Sequence, residues 1–242
     1  MVRGILIVAI AGCTAAAPRA AQPELATVRI EPARPPTLVF PNETFEFVGK
    51  LHGIQVARVQ SAVGDAGYVD GKRAIIIRSR GFAEGVLSLV TELTWELTTT
   101  LDLEGGLPLE HLEEAWLIFR GEQDHERDER SLRAGDTDHD VHSLICALRG
   151  WTALPHEPVK LTVAIGGAQI RLEVWEAGRG EWIGKFPAVR FEGVGRGKYP
   201  FTVWISDDAD RVPLLVKAET KWGDIIVELV EYGSNGKTIA LR

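Results

Sequence analysis

The stretch Leu93-Thr94-Trp95-Glu96-Leu97-Thr98-Thr99-Thr100-Leu101-Asp102-Leu103 decides the fold class. Leu93, Trp95, Leu97, Leu101 and Leu103 fall on one face with Thr99 in register. Thr94, Glu96, Thr98, Thr100 and Asp102 fall on the other. A period of two over that length predicts a strand with one buried and one wet face, the pattern of an antiparallel sheet. Gly105-Gly106 ends it.

The same alternation recurs on both sides. Downstream it covers Val159 to Ile165, Ala168 to Glu176, Phe186 to Glu192, Tyr199 to Ser206, Val212 to Trp222 and Ile225 to Tyr232. Gly223-Asp224 marks a tight hairpin between the last two. Upstream, Thr44 to Lys50, Ile54 to Ala62, Arg73 to Ser79 and Ala115 to Arg120 are shorter strands. Helix is scarce. Asp140 to Arg149 places Val141, Leu144, Ile145 and Leu148 at i, i+3, i+4 and i+7, with Asp138 or Asp140 as N-cap and Gly150 as stop. Phe82 to Leu89 reads as a second short helix, and the heavily charged run from Gly121 to Asp138 as an exposed loop. The expectation is a mainly β protein: a strongly curved antiparallel sheet, or half-barrel, with a short helix packed on it.

The ends of the chain set its address. Ile5 to Ala11 gives seven apolar residues after Arg3, too few to span a bilayer but enough for a secretory core. Ile10-Ala11-Gly12-Cys13 resembles a bacterial lipobox, which implies a signal peptide over residues 1–12 and lipidation at Cys13; a plain signal peptide cut near Ala15 to Ala17 is the alternative. Six of the 12 prolines lie between Thr14 and Pro41, so residues 13–41 read as a lipidated cysteine followed by an extended tether. Residues 42–242 form the single sheet domain. Multiple acyl chains give firm membrane attachment. Thr14 after the cysteine favours the outer membrane, facing the periplasm, over the inner membrane under the enteric sorting rule. Cys146 lies in an apolar run and reads as a buried hydrophobe.

Composition excludes several functions. The formal charge is −7, from 27 basic and 34 acidic residues, and no basic stripe is present, so no nucleic acid partner is expected. Two distant cysteines make no disulfide framework or zinc cluster. Asp136-Thr137-Asp138-His139-Asp140-Val141-His142 is similar to a calcium loop, but Val141 stands where Gly is needed and Ala147 where Glu is needed. His139 and His142 are weak metal candidates, against the reading of an acidic helix start; Asp140 and Ser143 are then cap residues. Asp207, Asp208, Asp210 and Arg211 read as a turn rather than an acid–base pair. Ser143 and Ser206 have no G-x-S-x-G context, and Gly193 to Gly197 opens no helix and so cradles no phosphate. No enzyme and no cofactor are expected.

Two segments carry a family resemblance. Asp140 through Arg149 has the form D-x-x-S-x(4)-L-R. Trp204-Ile205-Ser206-Asp207-Asp208, followed by Arg211 and Pro213, has the form W-[LI]-S-D-D-x-x-R-x-P. Together they resemble domain of unknown function family 3108, bacterial envelope proteins related in fold to the lipoprotein carriers LolA and LolB. The resemblance implies a curved sheet wrapping a helix around an apolar cavity, and no activity. The charged run from Gly121 to Asp138 departs from that family. Seven tryptophans, several on strands, fit either edge-packed core or a ligand-holding face.

Three functions follow as expectations. The first is a non-enzymatic, lipid-anchored envelope protein that holds an apolar ligand, a lipid or acyl chain, against Leu93, Trp95, Leu97, Phe201, Val203 and Ile205. The second is an interaction module with a filled sheet core that recruits an envelope protein partner. The third, a metal-dependent hydrolase at Asp136 to His142, is the least favoured.

Overall fold

A computed structural model describes residues 37–119, 122–131, 138–165, 168–195, 199–220, 223–234 and 237–240. Cys13, the signal segment, most of the tether and Trp222 lie outside the described residues.

The chain first lays down six antiparallel strands: β1 (Thr44–Leu51), β2 (Ile54–Val69), β3 (Lys72–Ala83), β4 (Thr91–Asp102), β5 (Pro108–Phe119) and β6 (Glu122–Ser131). Helix α1 (Val141–Arg149) follows. Seven more strands complete the chain: β7 (Val159–Ile165), β8 (Ala168–Ile183), β9 (Phe186–Gly195), β10 (Tyr199–Ser206), β11 (Pro213–Thr220), β12 (Gly223–Ser234) and β13 (Lys237–Ala240). They form one sheet in the order β6-β5-β4-β3-β2-β1-β12-β11-β10-β9-β8-β7, with β13 added on β12. The sheet is large, curved and antiparallel, and is not closed into a barrel.

Curvature follows from the reach of one helix. Nine residues make a rod about 14 Å long, whereas twelve strands laid flat would span about 50 Å. Yet α1 hydrogen-bonds side chains of β3 and β4, while Leu144 and Leu148 pack with Val163, Leu172, Phe191, Val203 and Ile205 from β7 to β10. The sheet therefore wraps around α1, and α1 lies in its trough. A second apolar group joins Cys146 to Ile75, Ile77, Leu101, Leu229 and Tyr232.

The mainly β architecture with its single packed helix matches the expected class, and three local readings are corrected. Glu122–Ser131 is no loop: it pairs with β5 from Phe119↔Glu122 to Glu110↔Ser131. Its alternation went unread because the inward side chains are themselves charged, a device that protects sheet edges. Phe82 to Leu89 is not a helix; β3 runs to Ala83 with Phe82 paired to Thr94, and only Leu87–Leu89 coils into a 3₁₀ turn. The β11–β12 hairpin turns earlier than Gly223-Asp224, since Thr220 already pairs with Gly223. The packed body takes in the last residues of the proline-rich stretch: Leu38 N–H donates to Cys146 O at 3.1 Å, and the Phe40 ring lies 5.4 Å from the Arg149 guanidinium.

Candidate functional site

The two motif segments meet at the C-terminal end of α1. Arg149, only 3% exposed, donates from Nε to Arg211 O at 3.0 Å, and Arg211 Nε donates back to Arg149 O at 3.1 Å. Arg149 Nη2 also donates to Asp210 O at 2.7 Å. Its guanidinium grips Glu43 in a fork, with two bonds of 2.7 Å, and Tyr232 OH donates to the same carboxylate at 2.8 Å. Glu43 is fully buried, and both of its oxygens accept from the Arg149 fork, with Tyr232 adding a third bond.

The turn that receives Arg149 is built by its own side chains. Asp208 Oδ1 accepts from Ser206 Oγ at 2.7 Å and from the amides of Asp210 and Arg211 at 3.1 and 3.0 Å. Ser206 Oγ in turn accepts from Val212 N–H at 2.7 Å. Asp207 reaches outward to Arg179 at 3.0 Å, Trp204 Nε1 donates to Glu181 at 2.8 Å, and Pro213 opens β11. Asp210 and Arg211 thus lock α1 to the sheet, while Asp208 shapes the turn and Asp207 ties it to Arg179.

At the N-terminal end of α1 a polar network crosses the trough. Asp140 caps the helix: its Oδ1 accepts from Ser143 N–H at 2.8 Å, and Asp140 N–H donates to Ser143 Oγ at 2.9 Å. Its Oδ2 accepts from the Thr99 hydroxyl and from His111 Nδ1 at 3.2 Å. Thr99 Oγ1 lies 2.7 Å from His142 Nδ1, and Ser79 Oγ lies 2.7 Å from His142 Nε2, with Ser61 Oγ 2.6 Å beyond. The donor directions follow from counting protons. Thr99 gives its hydrogen to Asp140, so it accepts from His142 Nδ1–H. Nε2 then accepts from Ser79, which accepts from Ser61.

Burial lowers His142 to about 4, so it is neutral and bridges two strands through both nitrogens. Burial also works against a charged His111, but the bond to Asp140 and the nearby Glu113 carboxylate prevail and raise it to about 9. Asp140 would be raised by burial; the bond from His111, the Ser143 amide and Thr99 bring it down to about 2. Burial pushes the Cys146 thiol up to about 12, which leaves it a packed apolar group. Ser79 and His142 are both buried where the helix meets β3.

The six residues expected to line a ligand site divide between distant strands. Leu93, Trp95 and Leu97 lie on β4, and Phe201, Val203 and Ile205 on β10, with five strands between in the sheet order. Val203 and Ile205 are buried against Leu144 and Leu148. Leu93 and Leu97 are buried, whereas Trp95 is half-exposed and donates from Nε1 to Glu113 at 2.7 Å. The Phe201 ring covers Gly193 of β9, where a Cβ would collide with it; this close approach, not a phosphate loop, explains that glycine. Of the two histidines considered as metal ligands, His142 has both nitrogens engaged, and His139 bridges its backbone to β7 and meets Ser143 Oγ at 3.2 Å.

A different group has ligand geometry: His111 Nε2, a Glu113 oxygen and an Asp128 oxygen lie within 4.8 Å of one another. His111 and Glu113 point inward from β5 and Asp128 from β6. Sequence reading missed it because Asp128 was assigned to a loop and His111 preceded the strand expected at Ala115. The H-x-E spacing at His111 and Glu113, which puts both on one strand face, was the available signal.

No family model matches the chain, and no curated protein matches it. Among solved structures it is similar to a β-barrel-like protein of domain of unknown function family 1849 from Brucella abortus. That match has a TM-score of 0.55 and 8% identity, covering 79% of this chain and 97% of the other. A "putative lipoprotein" from Parabacteroides distasonis aligns with a TM-score of 0.36 and 6% identity, over 80% of this chain and 96% of the other. The first shows that the fold is β-barrel-like.

Proposed function

We propose that this protein is a non-enzymatic envelope lipoprotein, tethered through Cys13, that serves as a binding module for another envelope component. The observation that carries the reading is the filled trough. In a carrier of acyl chains the concave face must be free to take a ligand. Here Leu144 and Leu148 already bury Val203 and Ile205, and Asp140 and His142 occupy the polar end through bonds to β3, β4 and β5. The interior apolar area that would drive ligand capture, at about 25 cal/mol per Å², is spent on the protein's own core. The module reading is therefore preferred to the open-trough reading, and a partner would meet the outside of the sheet.

The lipid anchor rests on the lipobox-like Ile10 to Cys13 and on the resemblance of Asp140–Arg149 and Trp204–Pro213 to domain of unknown function family 3108. Those motif residues join α1 to the sheet, a role that fits a family signature of architecture rather than of catalysis. Placement at the outer membrane, facing the periplasm, follows from the same lipobox reading.

Two measurements test the proposal. Cys13→Ser is expected to release the protein from the membrane fraction in its native host; unchanged fractionation removes the anchor. The folded protein is expected not to bind a fluorescent fatty acid at micromolar concentration. Saturable binding competed by unlabelled fatty acid would restore the carrier reading.

A further inference from the structure

We infer that His111, Glu113 and Asp128 form a structural divalent-metal site, with zinc as the fitting ion, that clips the edge strand β6 to the helix cap. His111 is 5% exposed, and its Nε2 is buried with no hydrogen-bond partner. That nitrogen points at Glu113 Oε2, 3.7 Å away. The separation is too long for a hydrogen bond, which needs about 2.7–3.2 Å. It is close to the separation of two ligands on one ion: bonds of about 2.1 Å at a tetrahedral angle place their donor atoms about 3.4 Å apart.

The outer contacts are those of a metal-bound imidazole. His111 Nδ1 is 3.2 Å from Asp140 Oδ2, so Nδ1 keeps its hydrogen, and an ion that displaces the Nε2 proton meets a lone pair facing Glu113 and Asp128. A carboxylate behind a histidine fixes its ring and increases its donor strength. Glu113 keeps its other oxygen on Trp95 Nε1 at 2.7 Å. Asp128 is also held by Arg130, from Nε to Oδ1 at 3.1 Å and with Nη2 2.7 Å from Oδ2. One imidazole with two carboxylates selects zinc or manganese over calcium, which prefers an all-oxygen shell.

The consequence is mechanical. Strand β6 has charged residues on both faces and supplies no apolar anchor, so a bond through Asp128 would tie it to β5 and, through His111 and Asp140, to α1. The test uses the full chain stripped of metal by chelator and titrated with zinc alone, then with cobalt(II) as a visible reporter. The expected result is one ion per chain, a thermal midpoint several degrees higher and cobalt d–d absorption. Asp128→Asn, half-buried on an edge strand and tolerable to the fold, is expected to weaken zinc at least tenfold and abolish the cobalt bands. His125→Gln, on the exposed side beside Trp116, is expected to change neither. Absence of binding at micromolar zinc, or equal binding by Asp128→Asn, overturns the site and leaves a buried ion pair only. So does loss of binding in His125→Gln.

Discussion

His142 is neutral in the fold because burial outweighs the pull of Asp140, and its proton affinity falls to about 4 from 6.5. The sign follows: between those values the unfolded chain binds a proton that the folded chain refuses, so stability rises with pH from 4 to 6.5. The rise is on the order of 3 kcal/mol, at about 1.4 kcal/mol per unit. Urea midpoints measured across that window are expected to increase, and His142→Gln is expected to flatten the curve; an unchanged slope in the variant would contradict the assignment. Glu43 presents the opposite case, a buried charge that is fully paired. Glu43→Ala leaves the Arg149 guanidinium buried without its partner, and a loss on the order of 3–5 kcal/mol is expected in chemical denaturation. Replacing Glu43 and Arg149 together by apolar residues is expected to cost much less. Residue types at these positions were partly legible. The helix start was recognisable from spacing with Asp138 or Asp140 as its cap, and the structure selects Asp140, whereas the Glu43 carboxylate lies 106 positions from Arg149, and no local pattern records such a pair.

Strands with one wet face were readable because leucine and valine alternate with threonine and charge, as in β4, β7 and β10. Strand β6 was not, and its composition explains why. Of its ten residues, Asp128 and Arg130 alone reach half-burial among those whose side chains are described, so no hydrophobic period exists to read. The pairing comes from β5, which meets β6 from Phe119↔Glu122 to Glu110↔Ser131. Trypsin separates the two readings. Arg127 and Arg130 in a paired strand are expected to resist cleavage until the protein unfolds, whereas an exposed loop would be cut within minutes under native conditions. Gly193 marks a similar boundary between what pattern and packing reveal. A glycine-rich run predicts a break, but the Phe201 ring needs the space and the strand continues through it.

At the scale of the molecule, the family resemblance and the alternation both anticipated a curved sheet with one helix. Neither could tell whether the trough holds a ligand or is occupied. The position of α1 favours the filled reading: Leu148 is fully buried among residues from β7 to β10, and the two ends of the helix are pinned by Asp140 and Arg149. Leu148→Ala is expected to cost about 2–5 kcal/mol, as for other buried leucines truncated in tight cores, with loss of cooperativity in the whole sheet. The central claim is that α1 is a fixed part of the core and not a lid. Native-state hydrogen exchange of the amides from Ile145 to Arg149 tests it most directly. These amides are expected to exchange only with the free energy of global unfolding, together with those of β9 and β10. Exchange of α1 at much lower cost, while the sheet stays protected, would mean that the helix swings out of the trough and that the carrier reading is right.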